Sequence, residues 1–526
     1  MKSDKLTDAI GMIDEDLIAE ADGKIKKSYS QYIKWLIPVA AVLMIVVVSV
    51  PFLKQDRPMV NNPSIESTLQ SDEQSTNQED LSQGGNSFVP EFPSKKPLEK
   101  PSTGMLIPSI GDNIITPVVK TLNFAKYPQM MQYPTDFEDL PAWYDSKDER
   151  KVYYGAGKNL GAFFKKTTQE ILSNADGENR LYSPLNVYMA LAMTAEISNG
   201  DTRQQILDLI GADSMEALRK QANSVWNANY SDDGAVTCIL ASSLWLNNNI
   251  SFNKKIIDTL GTNYYASSYQ GTMGSKEMND ELKKWLNSQT GGMLSDEISD
   301  VELDSQTVMA LATTIFYQAK WYSEFQESRT VQNVFHSPIG DITCDFMNRT
   351  EFDEWYCWGT NFSAVGKPLA NSGKMYFVLP DENVSVDELL SDNELWSFMN
   401  CGGYWNKSQK IRINLSVPKF DVSSEQDLKT GLQNLGVTNC FDENKSDFSS
   451  LCENYNDPIF ISKIEHGVRV AIDEEGVTAT AYTVEMLAGS TRPTDEEIDF
   501  ILDRPFIFVI TSEDGLPLFT GVVNQP

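Results

Sequence analysis

An α+β domain is what this sequence predicts, and three observations predict it: capped helical runs dominate the first half of the stretch from Gly155 to Pro526, strand-like runs cluster toward its end, and neither linker nor repeat interrupts it. Ser183 supplies an N-cap hydroxyl and Pro184 the first helical position for the apolar run LNVYMALAMTAEI, which Asn199-Gly200 closes. Asp201-Thr202 opens a short amphipathic helix that ends at Gly211. The strand-like runs are SLWLNN (243–248), MYFVLP (375–380), INLSVP (413–418), VRVAID (468–473), PFIFVI (505–510) and LFTGVV (518–523).

The chain has 526 residues, 43 basic and 74 acidic, for a formal charge of −31. That balance argues against a nucleic-acid partner, which calls for a basic face. At ~150 residues per domain the length suggests about three domains, but the unbroken stretch 155–526 reduces this to one large domain. Only His336 and His466 are present, which excludes a histidine-rich metal site. Six sparse cysteines without a C-x-x-C pair fit neither a disulfide scaffold nor a zinc ribbon. No metal or cofactor is expected.

Before that domain the chain changes character three times. Residues 1–34 are charged and are expected in the cytoplasm. Residues 35–53, Trp35 to Leu53, carry no charge, and as a helix they would span ~28 Å of a ~30 Å hydrocarbon core. A transmembrane helix is therefore expected here, with a signal peptide as the weaker reading because a clean cleavage site is lacking. Lys24, Lys26, Lys27 and Lys34 before the run, against Lys54 and Arg57 after it, set the N-terminus inside and the large domain outside the cell membrane, single-pass. Residues 54–104 are rich in Ser, Asn, Gln, Glu and Pro and read as a disordered tether. Residues 105–154 are an extension to which the sequence assigns no role. An anchored, tethered extracellular domain fits a Gram-positive-type bacterial surface.

Along 159–526 the motifs resemble those of the serpin family. They are LYSPLNVYMALAM (181–193), SLWLNN (243–248), TIFYQAKWYSEF (314–325), VFH (334–336), VPKFDV (417–422), LGVTNCF (435–441), SKIEHGVRVAIDEEG (462–476), DRPFIFVI (503–510) and PLFTGVVNQP at the end. Each is weak alone; their order and spacing are specific. The resemblance implies helices around three β-sheets, the largest able to accept a further strand, and an exposed reactive loop. It also implies a mechanism. A target serine protease attacks a bait bond in the loop, forms an acyl-enzyme, and is trapped when the cut loop inserts into the large sheet.

The loop would lie within 474–500. It begins EEGVTATAYTV, a glycine followed by small or β-prone residues without charge until Glu485, a pattern that proteins normally avoid in exposed segments because it invites strand pairing. Resemblance assigns the hinge to Glu474, Glu475, Gly476, Val477, Ala479 and Ala481. On insertion alternate residues face the buried side of the sheet, so Val477, Ala479, Ala481 and Thr483 fit, while Glu485 on the same parity would be costly. Tyr482 is bulky but on the opposite face. Family spacing places the scissile bond at Ser490-Thr491, with Met486, Leu487 and Ala488 as alternative bait residues. Arg492 is discounted because Pro493 follows it. The small apolar character of the region suits elastase-like or subtilisin-like proteases. By the same resemblance, sheet opening is controlled by Ser183, Asn186, Thr313, Lys320, Trp321 and His466, and titration of His466 would tune insertion. Asn186 stands where Ser is common in the family, and Thr313 where Asn is common.

Rival classes lack their motifs. A hydrolase would need a nucleophile and base, but neither G-x-S-x-G nor H-E-x-x-H occurs, and G-x-x-x-x-G-K-[ST] is also missing. The expected protein is therefore a monomeric inhibitor and not an enzyme. The main alternative is a non-inhibitory serpin acting as a surface binding or chaperone-like module; a plain adhesin would leave the 474–500 segment without explanation.

Overall fold

A computed structural model describes residues 40–49, 119–401, 404–452, 455, 457–477 and 496–526. All of these fall in one compact unit.

The architecture is built on two mixed sheets, each of nine strands among the described residues. In chain order the strands are β1 (Ala40–Ser49), β2 (Lys120–Asn123), β3 (Arg180–Tyr182), β4 (Ser231–Asp232), β5 (Thr237–Asn247), β6 (Ala266–Gly271), β7 (Thr307–Lys320), β8 (Val331–Ser337), β9 (Gly340–Trp358), β10 (Phe362–Pro368), β11 (Lys374–Pro380), β12 (Ser408–Pro418), β13 (Phe420–Asp427), β14 (Phe460–Ile472), β15 (Gly476–Val477), β16 (Glu497–Ile501), β17 (Phe506–Thr511) and β18 (Pro517–Val523). The first sheet has the order β13-β14-β1-β7-β5-β6-β2, with β15 added to β7 and β4 to β5. The second runs β16-β12-β9-β10-β11-β17-β18-β3, with β8 on β9. Three sheets were expected. Two form because β9, 19 residues long, pairs with β8 and β12 along much of its length and with β10 near its end, carrying one hydrogen-bonded ladder through both halves.

Helix α1 (Leu140–Arg150) lies in the extension; α2 (Gly161–Leu172) and α3 (Pro184–Ile197) follow. All 14 residues of α3 are buried, as expected of a helix that is apolar all round and packs beneath a sheet. The Ser183 hydroxyl accepts from the Asn186 N–H at its start, and Pro184 sits at the first helical position. The next helix, α4 (Gly200–Ile210), stops at Gly211, whose φ of 80° places it in the left-handed region. The strand-like runs named from the sequence lie in β5, β11, β12, β14, β17 and β18, with only their end residues outside.

The membrane helix is corrected. Within 35–53, residues Ala40–Ser49 form β1, a central strand of the first sheet, antiparallel to both β7 and β14. The remaining residues of that run lie outside the described residues, as do 1–34 and 54–104. The physical reason is compositional. Val42, Ile45, Val46, Val47 and Val48 are β-branched, and an uncharged run of this kind suits a strand buried on both faces as well as it suits a lipid-facing helix. Ala41 and Leu43 to Val48 are all buried. Among the described residues no helix is long and apolar enough to cross a membrane.

The described part of the extension packs on the domain. β2 pairs with β6 and forms the edge of the first sheet, and Trp143 of α1 is fully buried. Tyr127 stacks on Trp226 and Tyr230, with ring centroids 5.6 and 5.3 Å apart. Arg150 donates to the carbonyls of Asn227 and Tyr230.

Candidate functional site

The chain leaves β14 at Ile472, turns through 473–475, and returns as β15 alongside β7. The turn is an Asx motif: Asp473 Oδ1 accepts from the N–H groups of Glu475 (2.8 Å) and Gly476 (3.3 Å). Burial is the main force on this carboxyl and raises its pKa to about 7, against the lowering effect of those two donors. Gly476 has φ 152°, and a Cβ there would lie 2.6 Å from the Ala319 carbonyl oxygen and 2.7 Å from Lys320 Cα. Close backbone approach to β7 therefore requires glycine.

The described part of the hinge is tied to the body at successive residues. Trp321 Nε1 donates to the Asp473 carbonyl (2.8 Å), Trp321 N–H to the Glu475 carbonyl (3.0 Å), and Phe325 N–H to the Glu474 carbonyl (2.9 Å). Glu474 is buried, yet hydrogen bonds from Lys419 Nζ (2.8 Å) and Thr330 Oγ1 (2.6 Å) outweigh the desolvation and lower its pKa. Trp321 is fully buried, with Lys367 Nζ 5.6 Å from its ring centroid and paired to Glu351 at 2.6 Å. Lys320 reaches Glu324 at 3.3 Å, and its carbonyl accepts from Ala370.

Beneath the sheet a second cluster joins α3 to β7 and β14. Ser183 N–H donates to His466 Nε2 (3.1 Å), Ser183 Oγ donates to the Leu518 carbonyl (2.6 Å), and Asn186 Nδ2 donates to the Thr313 carbonyl (3.3 Å). Thr313 Oγ1 donates back to Asn186 Oδ1. The residue types departing from the family pattern thus bond to each other. Complete burial drives the His466 pKa down to about 3, so in this state the imidazole is neutral at physiological pH and does not titrate there. The contact with Ser183 is made through its backbone, not its hydroxyl.

The central lane of the first sheet holds two segments end to end. β15 pairs Gly476 with Lys320 and Val477 with Ala319; β1 then pairs Ala40 with Tyr317 and follows β7 as far as Thr307, running in the same direction as β15.

The structure thus brings together Glu474, Glu475, Gly476, Val477, Lys320 and Trp321 at the hinge, and Ser183, Asn186, Thr313 and His466 below the sheet. Ala479, Ala481, Met486, Leu487, Ala488, Ser490 and Thr491 lie outside the described residues. Sequence reasoning missed Asp473, Lys419 and Thr330. The first was legible as an Asx turn in DEEG; the other two, far away in the chain, carried no signal.

Helices packed on two large mixed sheets, with the segment 473–477 turning back onto the first sheet at its central lane, define the serpin class of fold. The chain belongs to the serpin family: the family model described as "Serpin (serine protease inhibitor)" matches residues 158–526. Its members are in general protease inhibitors and not catalytic enzymes. The chain is similar to Serpin-ZX of Arabidopsis thaliana, 28% identical over 380 residues that cover 68% of this chain and 94% of that protein. It is also similar to the alpha-1-antiproteinase of Rattus norvegicus, 27% identical over 391 residues, covering 72% of this chain and 91% of the other. Among solved structures, the thermophilic serpin tengpin in its native state matches with a TM-score of 0.62 at 23% identity, over 78% of this chain and all of tengpin.

Proposed function

We propose that this chain is a suicide-substrate inhibitor of serine proteases, which traps its target as an acyl-enzyme when the cleaved loop enters the large sheet. The observation that carries this reading is the hinge: Gly476 and Val477 are already paired to β7, aimed down the central lane. The residues that follow, TATAYTV, are uncharged and β-prone, as an incoming strand requires. The bait bond is Ser490-Thr491, with Met486, Leu487 and Ala488 as alternatives, and the targets are elastase-like or subtilisin-like proteases met by a monomer. The test is incubation of the full chain with such proteases, followed by denaturing electrophoresis. A complex that survives boiling in detergent, with a released C-terminal peptide beginning at Thr491 or, for the alternative bait residues, at Leu487, Ala488 or Gly489, is expected; cleavage without any complex overturns the reading.

A second reading, a non-inhibitory serpin acting as a surface binding or chaperone-like module, is favoured by one observation. β1 already fills the lane that insertion needs.

We further propose a cell-membrane location, with the N-terminus inside and the serpin domain outside on a tether. A strand of the domain cannot also span a bilayer, so this location requires Ala40–Ser49 to leave the sheet. Fractionation of expressing cells tests it: recovery of the chain in the alkali-resistant membrane pellet, with the domain open to external protease, is expected, and full recovery in the soluble fraction overturns it.

A further inference from the structure

We propose that a notch in the second sheet, beside Arg329 and Arg349, is a binding site for a small phosphate monoester, the two guanidiniums taking the phosphate and Phe352 supporting its organic part.

The notch follows from the pairing of β9. Strand β8 pairs with β9 only as far as Phe346, and β10 joins the same side only from Tyr356, whereas β12 accompanies β9 along the other side from Phe346 to Cys357. Among the described residues, 347–355 therefore have no neighbouring strand on that side. A short 3-10 turn, Glu327–Arg329, lies against this gap and is fixed there. Asn348 Nδ2 donates to the carbonyls of Arg329 (3.0 Å) and Phe346 (2.9 Å), and the Arg329 N–H donates to the Gln326 carbonyl (2.8 Å). Gln326, Arg329, Asn348, Arg349, Thr350 and Phe352 line the concavity that results.

Its charge suits a dianion. No carboxylate lines it, in a chain with 74 acidic residues against 43 basic ones. Arg329 is exposed, and among the described residues its guanidinium has no hydrogen-bond or ion-pair partner, whereas every other described arginine side chain holds a carbonyl or a carboxylate. Arg349 is oriented by one terminal nitrogen, Nη1, which donates to the Glu324 carbonyl (2.7 Å) and leaves Nη2 without a partner. Its Nε stands 3.1 Å from Glu351 Oε1 but makes no aligned hydrogen bond. Glu351 does not cancel the pocket's charge, because buried Lys367 Nζ, 2.6 Å from the same oxygen, already balances it. The Glu324 carboxylate is met by Lys320 at 3.3 Å, and Glu327 is exposed and outside the lining.

Two guanidinium charges match a phosphate monoester, which carries about −1.5 to −2 near pH 7 and offers three acceptor oxygens. The fork of a guanidinium fits two such oxygens at once. A carboxylate or a sulfate ester, with a single charge, would leave one of the cations unmatched. Phe352 is 64% exposed at the rim, with the Arg412 guanidinium 5.3 Å from its ring centroid, and so presents an anchored apolar surface beside the phosphate position.

The test is isothermal titration calorimetry of the full chain at neutral pH, with inorganic phosphate and phenyl phosphate as probes. Saturable binding of one equivalent is expected for both, with phenyl phosphate several-fold tighter. Arg329→Gln is expected to weaken both about ten-fold, the loss of one charge-assisted contact, at an unchanged melting temperature because Arg329 has no side-chain partner to lose. Phe352→Ala should remove the advantage of phenyl phosphate and leave inorganic phosphate as it was. Absence of saturable phenyl phosphate binding, or equal affinity in Arg329→Gln and the unsubstituted chain, overturns the site. Equal affinity of the unsubstituted chain for the two probes overturns the assignment to a monoester, and this comparison stands even where Phe352→Ala does not fold. No readout involves a protease, so the outcome is separate from the inhibitor reading.

Discussion

His466 and His336, the two histidines of the chain, sit in opposite environments, which makes their titration directly readable. His336 is exposed beside Asp341, whose hydrogen bond at 2.8 Å raises its pKa above the usual value, while burial takes His466 to about 3. Two imidazole resonances are expected in proton NMR: one titrating above pH 6.5, the other flat from pH 8 to pH 4.5. Because the folded pKa of His466 lies below the unfolded value of 6.5, its contribution to stability is full above that pH and is lost on acidification toward about 3. Asp473 works in the other direction. Its folded pKa, about 7, lies above the unfolded 3.8, so its contribution is full below pH 4 and lost as pH rises to 7. Asp473→Asn keeps an oxygen for the two backbone donors and is expected to abolish that alkaline loss, as read from urea midpoints at pH 5 and pH 8 relative to the unsubstituted chain. The family resemblance pointed to His466, but its protonation state was not legible, because burial is a property of α3 and the sheet together and not of the residues around position 466.

At the scale of elements, α3 shows how local signals and tertiary structure agree. Ser-Pro followed by an apolar run announced both its start and its burial, and the structure adds that the capping hydroxyl also donates to Leu518. Ser183→Ala removes a cap and leaves a buried carbonyl unpaired, so a loss of about 2 kcal/mol in urea denaturation is expected, with the fold retained. β1 shows where local signals divide. An uncharged β-branched run has no periodicity to separate a lipid-facing helix from a strand covered on both faces. What decides is the presence of two strands, β7 and β14, whose facing edges need a partner, and this is visible only once residues hundreds of positions away are assembled. The extension 105–154 was opaque for the same reason, since its contacts to Asn227, Tyr230 and β6 are all distant in sequence. Arg150→Ala is expected to loosen α1 and speed proteolysis within 119–150 several-fold at unchanged global stability, as followed by peptide mass mapping.

For the whole molecule, the occupied lane alters what loop cleavage should do to stability. In a sheet whose lane is empty, a cut loop can enter and add a full strand of hydrogen bonds and buried apolar surface, and the melting temperature rises accordingly. Here Ala41 and Leu43 to Val48 already supply that burial, so the folded chain holds much of the stabilisation that insertion would bring. Nicking the loop of the unsubstituted chain with a non-target protease is therefore expected to raise the melting temperature by only a few degrees. The same cut in Val46→Asp should raise it considerably more, because aspartate at this buried position ejects β1 and the lane is then open to the cleaved segment. Differential scanning calorimetry before and after nicking distinguishes the two. An equally large rise in both proteins would mean that β1 presents no obstacle to the incoming strand, and the buried Thr314 Oγ1 and His466 Nδ1, which have no hydrogen-bond partner beside β1, would then have to be enough to expel it unaided.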